Sequence, residues 1–345
     1  MAAGQSVLQI SPEMPGIPPF DDVSRRPTPV PRGHRLLVAF FIGCASFLVS
    51  WWLMSRLHVG AWDFNWALAA ADDLVHHREV YSHDFVHGVP YPLPAAFFAV
   101  PLLKLPREAA GALFFAISSA ILAFGLTRHG YTRLLIFLAY PYWAALMTIQ
   151  WTPLIAAVGL FPDLLPVTLA KPQIGLPVAL THLTRRGVLL TLFLFAISLV
   201  VVPAWPLHWI RQTGYYQFFI PMLVFPGPLL VFALARRRDP DSHLLLLASL
   251  VPQRWFYDSF ILWLIPKSRQ EVLATVALSW GAGIWRWFVI PHTAHEVGVW
   301  TVLCIYLPMF GVVWLRGGFR GRDTARGGLD AQLESSSVFA ETASK

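Results

Sequence analysis

The chain has 345 residues, of which 56% are hydrophobic and only 13% are charged, and its mean hydropathy is +0.56. Soluble domains carry about 25% charged residues, so this composition excludes an ordinary soluble protein and predicts an integral membrane protein. The formal net charge of +7 does not indicate a nucleic-acid partner. Lys and Arg occur in short clusters between apolar runs, which is the distribution that the positive-inside rule produces.

Both ends of the chain are predicted to be disordered tails. Residues 1–34 are rich in proline and lack an apolar run, and we assign them to the cytoplasm. Residues 317–345 are rich in Gly, Arg and Ser and form the second tail. The first apolar run begins near Leu36 and is long enough to remain as an anchor, so no cleavable signal peptide is expected. Residues 35–316 are therefore the predicted transmembrane domain.

Apolar runs within this domain predict an all-α, polytopic helical bundle, because about 20 apolar residues span a bilayer as a helix. The clearest predicted spans are 35–57, 108–127, 133–149, 163–182, 187–204, 218–235, 270–290 and 296–315. Three further stretches, 91–106, 151–161 and 243–266, are short or are interrupted by proline and charge. Interrupted helices are tolerated only where they are buried in protein or line a watery cavity. We expect nine or ten passes in all.

The distribution of charge predicts which loops face the cytoplasm. An inside N-terminus leaves residues 58–90 outside. The same rule assigns the later cationic clusters to the cytoplasmic side, namely Arg185–Arg186, Arg236–Arg238 and Lys267. Two cytoplasmic clusters on either side of residues 243–266 require that segment to be re-entrant or a very short hairpin.

The outside loop, residues 58–90, is the most polar stretch between two apolar ones. Within residues 60–90 its carboxylates are Asp63, Asp72, Asp73, Glu79 and Asp84, and its histidines are His76, His77, His83 and His87. Apolar residues recur at helical spacing on one face: Phe64, Ala67, Ala71 and Leu74. This spacing predicts an amphipathic helix over residues 63–78 that lies in the interface plane.

The acidic residues of this loop have a structural and a functional interpretation. Asp63 could be the N-cap of the helix, and a carboxylate near the bilayer surface can also take a proton from a hydroxyl. Partial desolvation there is expected to raise the pKa of Asp63. Asp72, Asp73 and Glu79 are interpreted as a solvated face. The histidines lack a compact ligand spacing, so no metal site is assigned.

Five short motifs follow one another along the chain. They are "WDF" at 62–64, "YPLP" at 91–94, "IQWTP" at 149–153, "LAKPQ" at 169–173 and "PQRWFYD" at 252–258. This ordered set, covering about residues 60–265, resembles the polyprenol-phosphate-dependent GT-C glycosyltransferases. The nearest group is glycosyltransferase family 87, the bacterial mannosyltransferase-like proteins. Two departures are Ile149, where the family usually has glycine, and Leu93, which interrupts the usual Tyr-Pro-Pro.

The resemblance implies a GT-C-like fold and an enzyme of the bacterial inner membrane. Such an enzyme moves a hexose, mannose above all, from a polyprenyl-phosphate sugar to a lipid or glycan acceptor on the extracytoplasmic face, and inverts the anomeric centre. It implies no cofactor. Two other classes stay open: a transporter or lipid flippase, and a non-catalytic membrane subunit of a glycan-assembly complex. A transporter is expected to show two similar halves, and no such repeat is visible.

The same resemblance assigns roles to residues. Asp63 matches the first-loop aspartate and is the candidate general base. Arg254 is the first candidate for binding the donor phosphate, because a guanidinium in a broken apolar segment should have an anionic partner. The alternative is a buried ion pair between Arg254 and Asp258. Arg211 and His208 are second candidates for the phosphate, or else part of an interfacial belt of aromatic and basic side chains.

The substrate pocket is expected to include Tyr91, Gln150 and Tyr257. Tyr91 and Gln150 could equally make ordinary interhelical hydrogen bonds. Lys171 matches the Lys-Pro-Gln element of the family, but the predicted topology assigns it to the cytoplasmic half of the membrane. We therefore interpret Lys171 as structural and not catalytic.

Overall fold

The computed structural model describes five stretches of the chain, namely 29–57, 62–81, 91–212, 217–289 and 292–316. These residues are mostly helical and contain no strand, apart from an isolated β-bridge between Phe219 and Gln253. The all-α prediction is therefore confirmed for the described residues. The predicted tails lie outside them except for residues 29–34, and the first helix already begins at Arg32.

The helices are short on average and are separated by tight 3₁₀ segments. The α-helices are α1 (Arg32–Leu57), α2 (Trp62–Val75), α3 (Pro94–Ala99), α4 (Arg107–Leu126), α5 (Tyr140–Thr148), α6 (Thr152–Val158), α7 (Pro172–Thr181), α8 (Arg185–Val201), α9 (Trp205–Gln212), α10 (Pro240–Leu250), α11 (Arg269–Phe288) and α12 (Ala294–Thr301). The longer 3₁₀ segments are Thr132–Leu138, Pro162–Ala170, Gly227–Arg236 and Phe256–Leu264. A π-helical stretch, Val302–Tyr306, continues α12.

Three helices in the described residues are long and apolar enough to cross a membrane, namely Arg32–Arg56, Arg107–His129 and Ala294–Arg316. They correspond to the predicted spans 35–57, 108–127 and 296–315. Helices α8 and α9, which are bent by 93°, would add a fourth if the bent pair is one span. These helices indicate membrane association, and the total of nine or ten passes stays a prediction.

The predicted span 163–182 is a hairpin and not a single helix. Its arms are the 3₁₀ segment Pro162–Ala170 and α7, and the chain turns at Lys171. Proline blocks a continuous α-helix here, since it removes a backbone donor and clashes with the preceding turn. The arms pack closely: a Cβ added at Gly175 would lie 2.6 Å from the Thr168 carbonyl oxygen. The prediction of one span was wrong because apolar length alone does not require a straight helix.

Residues 243–266 form a second hairpin, as the charge pattern required. Its arms are α10 and the 3₁₀ segment Phe256–Leu264, and Arg254 lies in the intervening turn. The two ends meet, since Lys267 Nζ lies 2.5 Å from Asp241 Oδ2. The turn is held by the bridge between Phe219 and Gln253, whose backbone groups exchange hydrogen bonds of 2.9 and 2.8 Å.

Helices α1 and α4 pack side by side in opposite directions. Arg35, near the start of α1, donates a 2.8 Å hydrogen bond to the carbonyl of Phe124, near the end of α4. Further along, a Cβ on Gly43 would lie 3.2 Å from both Ala116 and Ala120. Small residues of this kind let helix backbones approach closely in a membrane.

Helix α2 confirms the amphipathic helix that the spacing predicted, but it ends at Val75 and not at residue 78. Its location in the interface plane stays a prediction. Its residues Phe64, Ala67 and Ala71 are fully buried, whereas His76 and His77, just after it, are exposed. Asp72 and Asp73 form ion pairs with exposed Arg78, and Glu79 is exposed, which fits the predicted solvated face. His83, Asp84 and His87 of the same loop lie outside the described residues.

The position of α2 on α4 fixes where Asp63 lies. The ring of Phe64, next to Asp63, stacks on Phe114 with the ring centroids 4.1 Å apart. Phe114 and Phe124 are separated by ten residues of α4, which is about 15 Å along the helix axis. Asp63 is therefore about 15 Å deeper along α4 than the end where Arg35 contacts Phe124.

Candidate functional site

The carboxylate of Asp63 is buried where three other segments converge on the first turn of α2. Tyr91 lies ten residues after the point where the described part of the first loop ends. Its hydroxyl donates a hydrogen bond to Asp63 Oδ2. Lys171 Nζ lies 3.6 Å from Oδ2, and Arg254 Nη1 lies 4.0 Å from Oδ1. Helix α2 begins at Trp62, so Asp63 lies inside the first turn and not at the N-cap. That position still favours a negative charge, because the helix dipole is positive there.

Lys171 is at the centre of the cluster and is fully buried. Its Nζ lies 2.8 Å from Asp258 Oδ1 and donates a 2.8 Å hydrogen bond to Gln150 Oε1. It also lies 4.6 Å from the centroid of the Tyr257 ring, which is a cation–π distance. The sequence predicted that Lys171 lies away from Asp63. This prediction was wrong, because the hairpin that begins at Pro162 brings Lys171 next to the Asp63 carboxylate.

Arg254 and Asp258 interact, but not in the way the sequence suggested. The backbone N–H of Arg254 donates a 2.9 Å hydrogen bond to Asp258 Oδ2. The carboxylate of Asp258 pairs with Lys171, while the guanidinium of Arg254 approaches Asp63. The cluster thus contains two carboxylates and two cations, and burial of charge is tolerated when each charge is paired in this way.

Gln150 reaches Lys171 from an unusual backbone turn. Helix α5 ends at Thr148, and Ile149 has φ 50° and ψ 64°, in the left-handed region that favours glycine. A β-branched residue held there stores about 1–3 kcal/mol of strain, and this is the position at which the resembled family has glycine. The Gln150 amide donates to Thr148 Oγ1 at 3.1 Å, which orients its oxygen toward Lys171.

The charges around Asp63 determine its ionisation. Burial on its own raises the pKa of Asp63, but Lys171, Arg254 and the Tyr91 hydroxyl together lower it below its ordinary value. The prediction of a raised pKa was therefore wrong: it considered desolvation and not the cations that other segments supply. Burial and the Asp63 carboxylate raise the pKa of Tyr91 well above its usual value, so its hydroxyl stays protonated and donates.

A cavity of about 460 Å³ adjoins this cluster, with Tyr91 and Arg254 in its wall. Its other lining residues are mostly apolar and come from five segments: Pro92, Pro172, Gln173, Leu176, Trp209, Phe218, Val251 and Pro252. The cavity therefore has a polar end next to Asp63 and a largely apolar remainder. Such a shape suits an amphipathic ligand, whose polar group is oriented by a few fixed side chains.

The predicted site residues are distributed as follows. Asp63, Tyr91, Gln150, Tyr257 and Arg254 lie together in the cluster or in its cavity wall. The two second candidates for phosphate lie on α9: the ring of His208 is 6.1 Å from that of Tyr81, and Arg211 is exposed. Helix α9 instead contributes Trp209 to the cavity.

Two members of the cluster, Lys171 and Asp258, were not assigned to the site from the sequence. Both are ionisable residues within apolar runs, where charge is expensive and usually functional. Within the described part of the chain, no group of three or more His, Cys, Asp or Glu side chains is arranged to hold a metal ion. No protein-family model, curated protein or solved structure matches the chain. Its function must therefore be argued from the site.

Proposed function

We propose that the protein is a membrane glycosyltransferase of the GT-C type. It transfers a hexose, mannose in the first instance, from a polyprenyl-phosphate sugar to a lipid or glycan acceptor on the extracytoplasmic face of the bacterial inner membrane. The observation that carries this proposal is that the five motifs, although spread from residue 62 to residue 258, meet in one buried cluster. The polytopic bundle of nine or ten passes belongs to the same proposal.

The cavity suits the donor that the motifs imply. A polyprenyl-phosphate sugar is an amphipathic molecule with one negative charge between its sugar and its chain. Arg254 is the cation in the cavity wall and would bind the phosphate by charge-assisted hydrogen bonds. The apolar wall, including Trp209 and Leu176, would contact the first isoprene units.

In the transfer step, Asp63 takes the proton from the acceptor hydroxyl as the oxygen bonds to the anomeric carbon. The bond from that carbon to the phosphate oxygen breaks, and the polyprenyl phosphate leaves with the electron pair. Attack opposite to the leaving group inverts the configuration. Arg254 stabilises the charge that develops on the phosphate.

The low pKa of Asp63 in the resting protein has a mechanistic consequence. An ionised carboxylate is ready to accept a proton, but a carboxylate paired with Arg254 and Lys171 is a weak base. A donor phosphate at Arg254 would screen the guanidinium from Asp63, which would raise the pKa of the carboxylate and strengthen the base. Lys171 would remain a positioning residue, holding Asp63 and Asp258 in place.

The test is sugar transfer by the purified full-length protein in liposomes, with a labelled polyprenyl-phosphate mannose and the matching glucose donor. Asp63→Asn should lower transfer about 10²- to 10⁴-fold, the usual contribution of a general base. Asp72→Asn is the matched control, because Asp72 is on the same helix and is 45% exposed. This control should transfer sugar at the unmodified rate.

Two outcomes would oppose the proposal in different ways. Full transfer by Asp63→Asn would remove the base assignment and leave the enzyme class intact. No transfer by the unmodified protein with any polyprenyl-phosphate hexose would overturn the enzyme class. It would favour a transporter, or a subunit whose Asp63 is replaceable.

A further inference from the structure

A second cavity, of about 830 Å³, lies at the end of the α1–α4 pair where Arg35 contacts Phe124. We call it the basic cavity. Its cationic and titratable lining residues are Arg35, Arg128, His129, Arg133, Lys267 and Arg269, and no carboxylate lines it among the described residues. Its floor is apolar and includes Leu160 and Phe161. It is separate from the Asp63 cluster.

The cations of the basic cavity are only partly neutralised by nearby acids. Lys267 pairs with Asp241, and Arg316, behind the cavity, pairs with Asp241 and Glu271. Those two acids are thereby matched by two cations. The remaining four guanidinium groups form no ion pair with any residue that the structure describes: Arg35, Arg128, Arg133 and Arg269. Counted over the described residues, the cavity therefore carries an excess of about four positive charges.

Two of these guanidinium groups are held in position. Arg35 donates to the Phe124 carbonyl, and its guanidinium carbon lies 4.0 Å from the centroid of the Phe124 ring. Arg133 donates from Nη2 to the carbonyls of Trp263 and Leu264, at 3.3 Å each. The Nε of Arg133 is buried and has no hydrogen-bond partner among the described residues. A buried donor without an acceptor is costly, and an anionic oxygen would satisfy it.

A mostly apolar groove of about 860 Å³ adjoins the basic cavity and shares Phe124, Leu160 and Phe161 with it. Its charged lining residues, Asp163 and Arg186, pair with each other at 3.2 Å. On α1 the groove begins at Leu36, next to Arg35, and continues to Phe40. Both side chains are more than half exposed, at 54% and 63%. Cationic groups are thus followed, along one helix, by an apolar surface that runs inward. This order matches a lipid, whose charged headgroup sits above its acyl chains.

We propose that the basic cavity and its groove bind an anionic phospholipid. The phosphate would lie among Arg35, Arg128, Arg133 and Arg269, and an acyl chain would lie in the groove between α1 and α4. Basic pockets between membrane helices bind acidic headgroups in this way. A soluble phosphate would use the cavity alone, and the adjoining groove favours the lipid. This inference does not depend on the glycosyltransferase proposal.

The test uses native mass spectrometry of the delipidated full-length protein, titrated with phosphatidylglycerol, phosphatidylcholine or inorganic phosphate. The variant Arg128→Gln/Arg269→Gln removes two exposed cations of the cavity. Its control, Arg237→Gln/Arg238→Gln, removes two exposed cations that do not line the cavity. Size-exclusion chromatography establishes that both variants are folded.

Phosphatidylglycerol should bind the unmodified protein at least about tenfold more tightly than phosphatidylcholine. The cavity variant should bind phosphatidylglycerol about 30-fold more weakly, which is the usual combined contribution of two basic residues near an acidic surface. The control variant should keep its affinity. Equal binding of the two lipids, or an equal loss in the control, would overturn the proposal. Displacement of phosphatidylglycerol by equimolar inorganic phosphate would also overturn it, in favour of a soluble phosphate.

Discussion

The Asp63 cluster and the basic cavity lie about 15 Å apart along α4. They differ in whether their charges are balanced. In the cluster, two carboxylates and two cations are packed together and balance each other. In the basic cavity, four guanidinium groups have no ion-pair partner among the described residues. Both regions depend on interrupted helices. The hairpins that carry Lys171 and Arg254 to Asp63 have their open ends near the basic cavity, whose lining includes Phe161 and Lys267.

This difference predicts how each region responds to mutation. In a balanced, buried cluster each member is needed by the others, so removing one leaves an uncompensated charge in a medium of low dielectric constant. In the basic cavity the exposed cations Arg128 and Arg269 are hydrated and repel their cationic neighbours, so removing either costs little stability and affects binding instead. Substitutions in the two regions test this contrast between structural and ligand-binding charge, and the largest effect is expected at Lys171.

Lys171→Met should destabilise the protein by about 3–5 kcal/mol, because it leaves Asp258 and Asp63 buried with less compensation. Thermal unfolding in detergent measures the change. The control is Lys104→Met, since Lys104 is exposed. Equal melting of the two variants would show that the Lys171 charge is not needed in the cluster.

The pair Lys171–Asp258 should be strongly coupled. If Lys171→Met and Asp258→Asn each leave the other charge unpaired, the double variant should be more stable than the sum of the two losses by about 0.5–3 kcal/mol. A double-mutant cycle of unfolding free energies measures this coupling. Simple additivity would contradict the ion pair.

The pH dependence of transfer should separate the free protein from its complex with donor. The lowered pKa of Asp63 places the acid limb of the kcat/KM profile, which reports the free protein, below the ordinary pKa range of an aspartate. The acid limb of the kcat profile, which reports the complex with donor, should lie at higher pH, because the donor phosphate screens Arg254 from Asp63. If the acid limbs of the kcat/KM and kcat profiles lie at the same pH, the screening of Arg254 by the donor phosphate is contradicted.

The lowered pKa of Asp63 also determines how the folding stability of the protein changes with pH. A carboxylate whose pKa is lower in the folded state stabilises the fold above its unfolded pKa of about 3.9, and this contribution is lost as the pH falls through the folded value. The stability that Asp63 contributes should therefore be constant from pH 7 to about pH 5. Asp63→Asn should weaken the loss of stability at more acid pH.

Tyr91→Phe should cost about 1.5 kcal/mol of stability, since it removes a hydrogen bond to a charged group. It should also shift the acid limb of kcat/KM to higher pH, because that hydrogen bond lowers the pKa of Asp63. Tyr131→Phe, at an exposed tyrosine, is the control and should change neither quantity. An unchanged acid limb in Tyr91→Phe would argue against its contact with Asp63.

Arg128→Gln should have the smallest effect on stability, within about 0.5 kcal/mol, because Arg128 is exposed and lacks an ion pair in the described residues. Unfolding of delipidated protein provides the measurement. A loss comparable to that of Lys171→Met would erase the contrast between the two regions.

Some of the site could be predicted from the sequence and some could not. Asp63, Tyr91 and Arg254 could be identified because each is polar in or beside an apolar run and falls in a motif. The location of Lys171 was predicted wrongly because residues 163–182 are long enough to span a membrane, and hydropathy does not distinguish a span from a proline-broken hairpin. The spacing of Pro166, Pro172 and Pro177 was the available signal.

Two further features depend on contacts that the sequence does not encode locally. The pKa of Asp63 is set by cations that lie more than 100 residues away in the chain, so its direction could not be inferred from the first loop. The basic cavity draws on Arg35, Arg128, Arg133 and Arg269, each of which indicates only membrane topology when considered alone. Their convergence requires the antiparallel packing of α1 and α4.

The most direct test of sugar transfer at the Asp63 cluster is a single-turnover measurement on Asp63→Asn, Arg254→Gln and the double variant. A base and a phosphate-binding group that act on one transition state are not independent. Each single substitution should lower the rate by at least about 10², and the double variant should be close to the slower single variant. Transfer by Asp63→Asn at the unmodified rate, or losses that multiply in the double variant, would contradict a shared site.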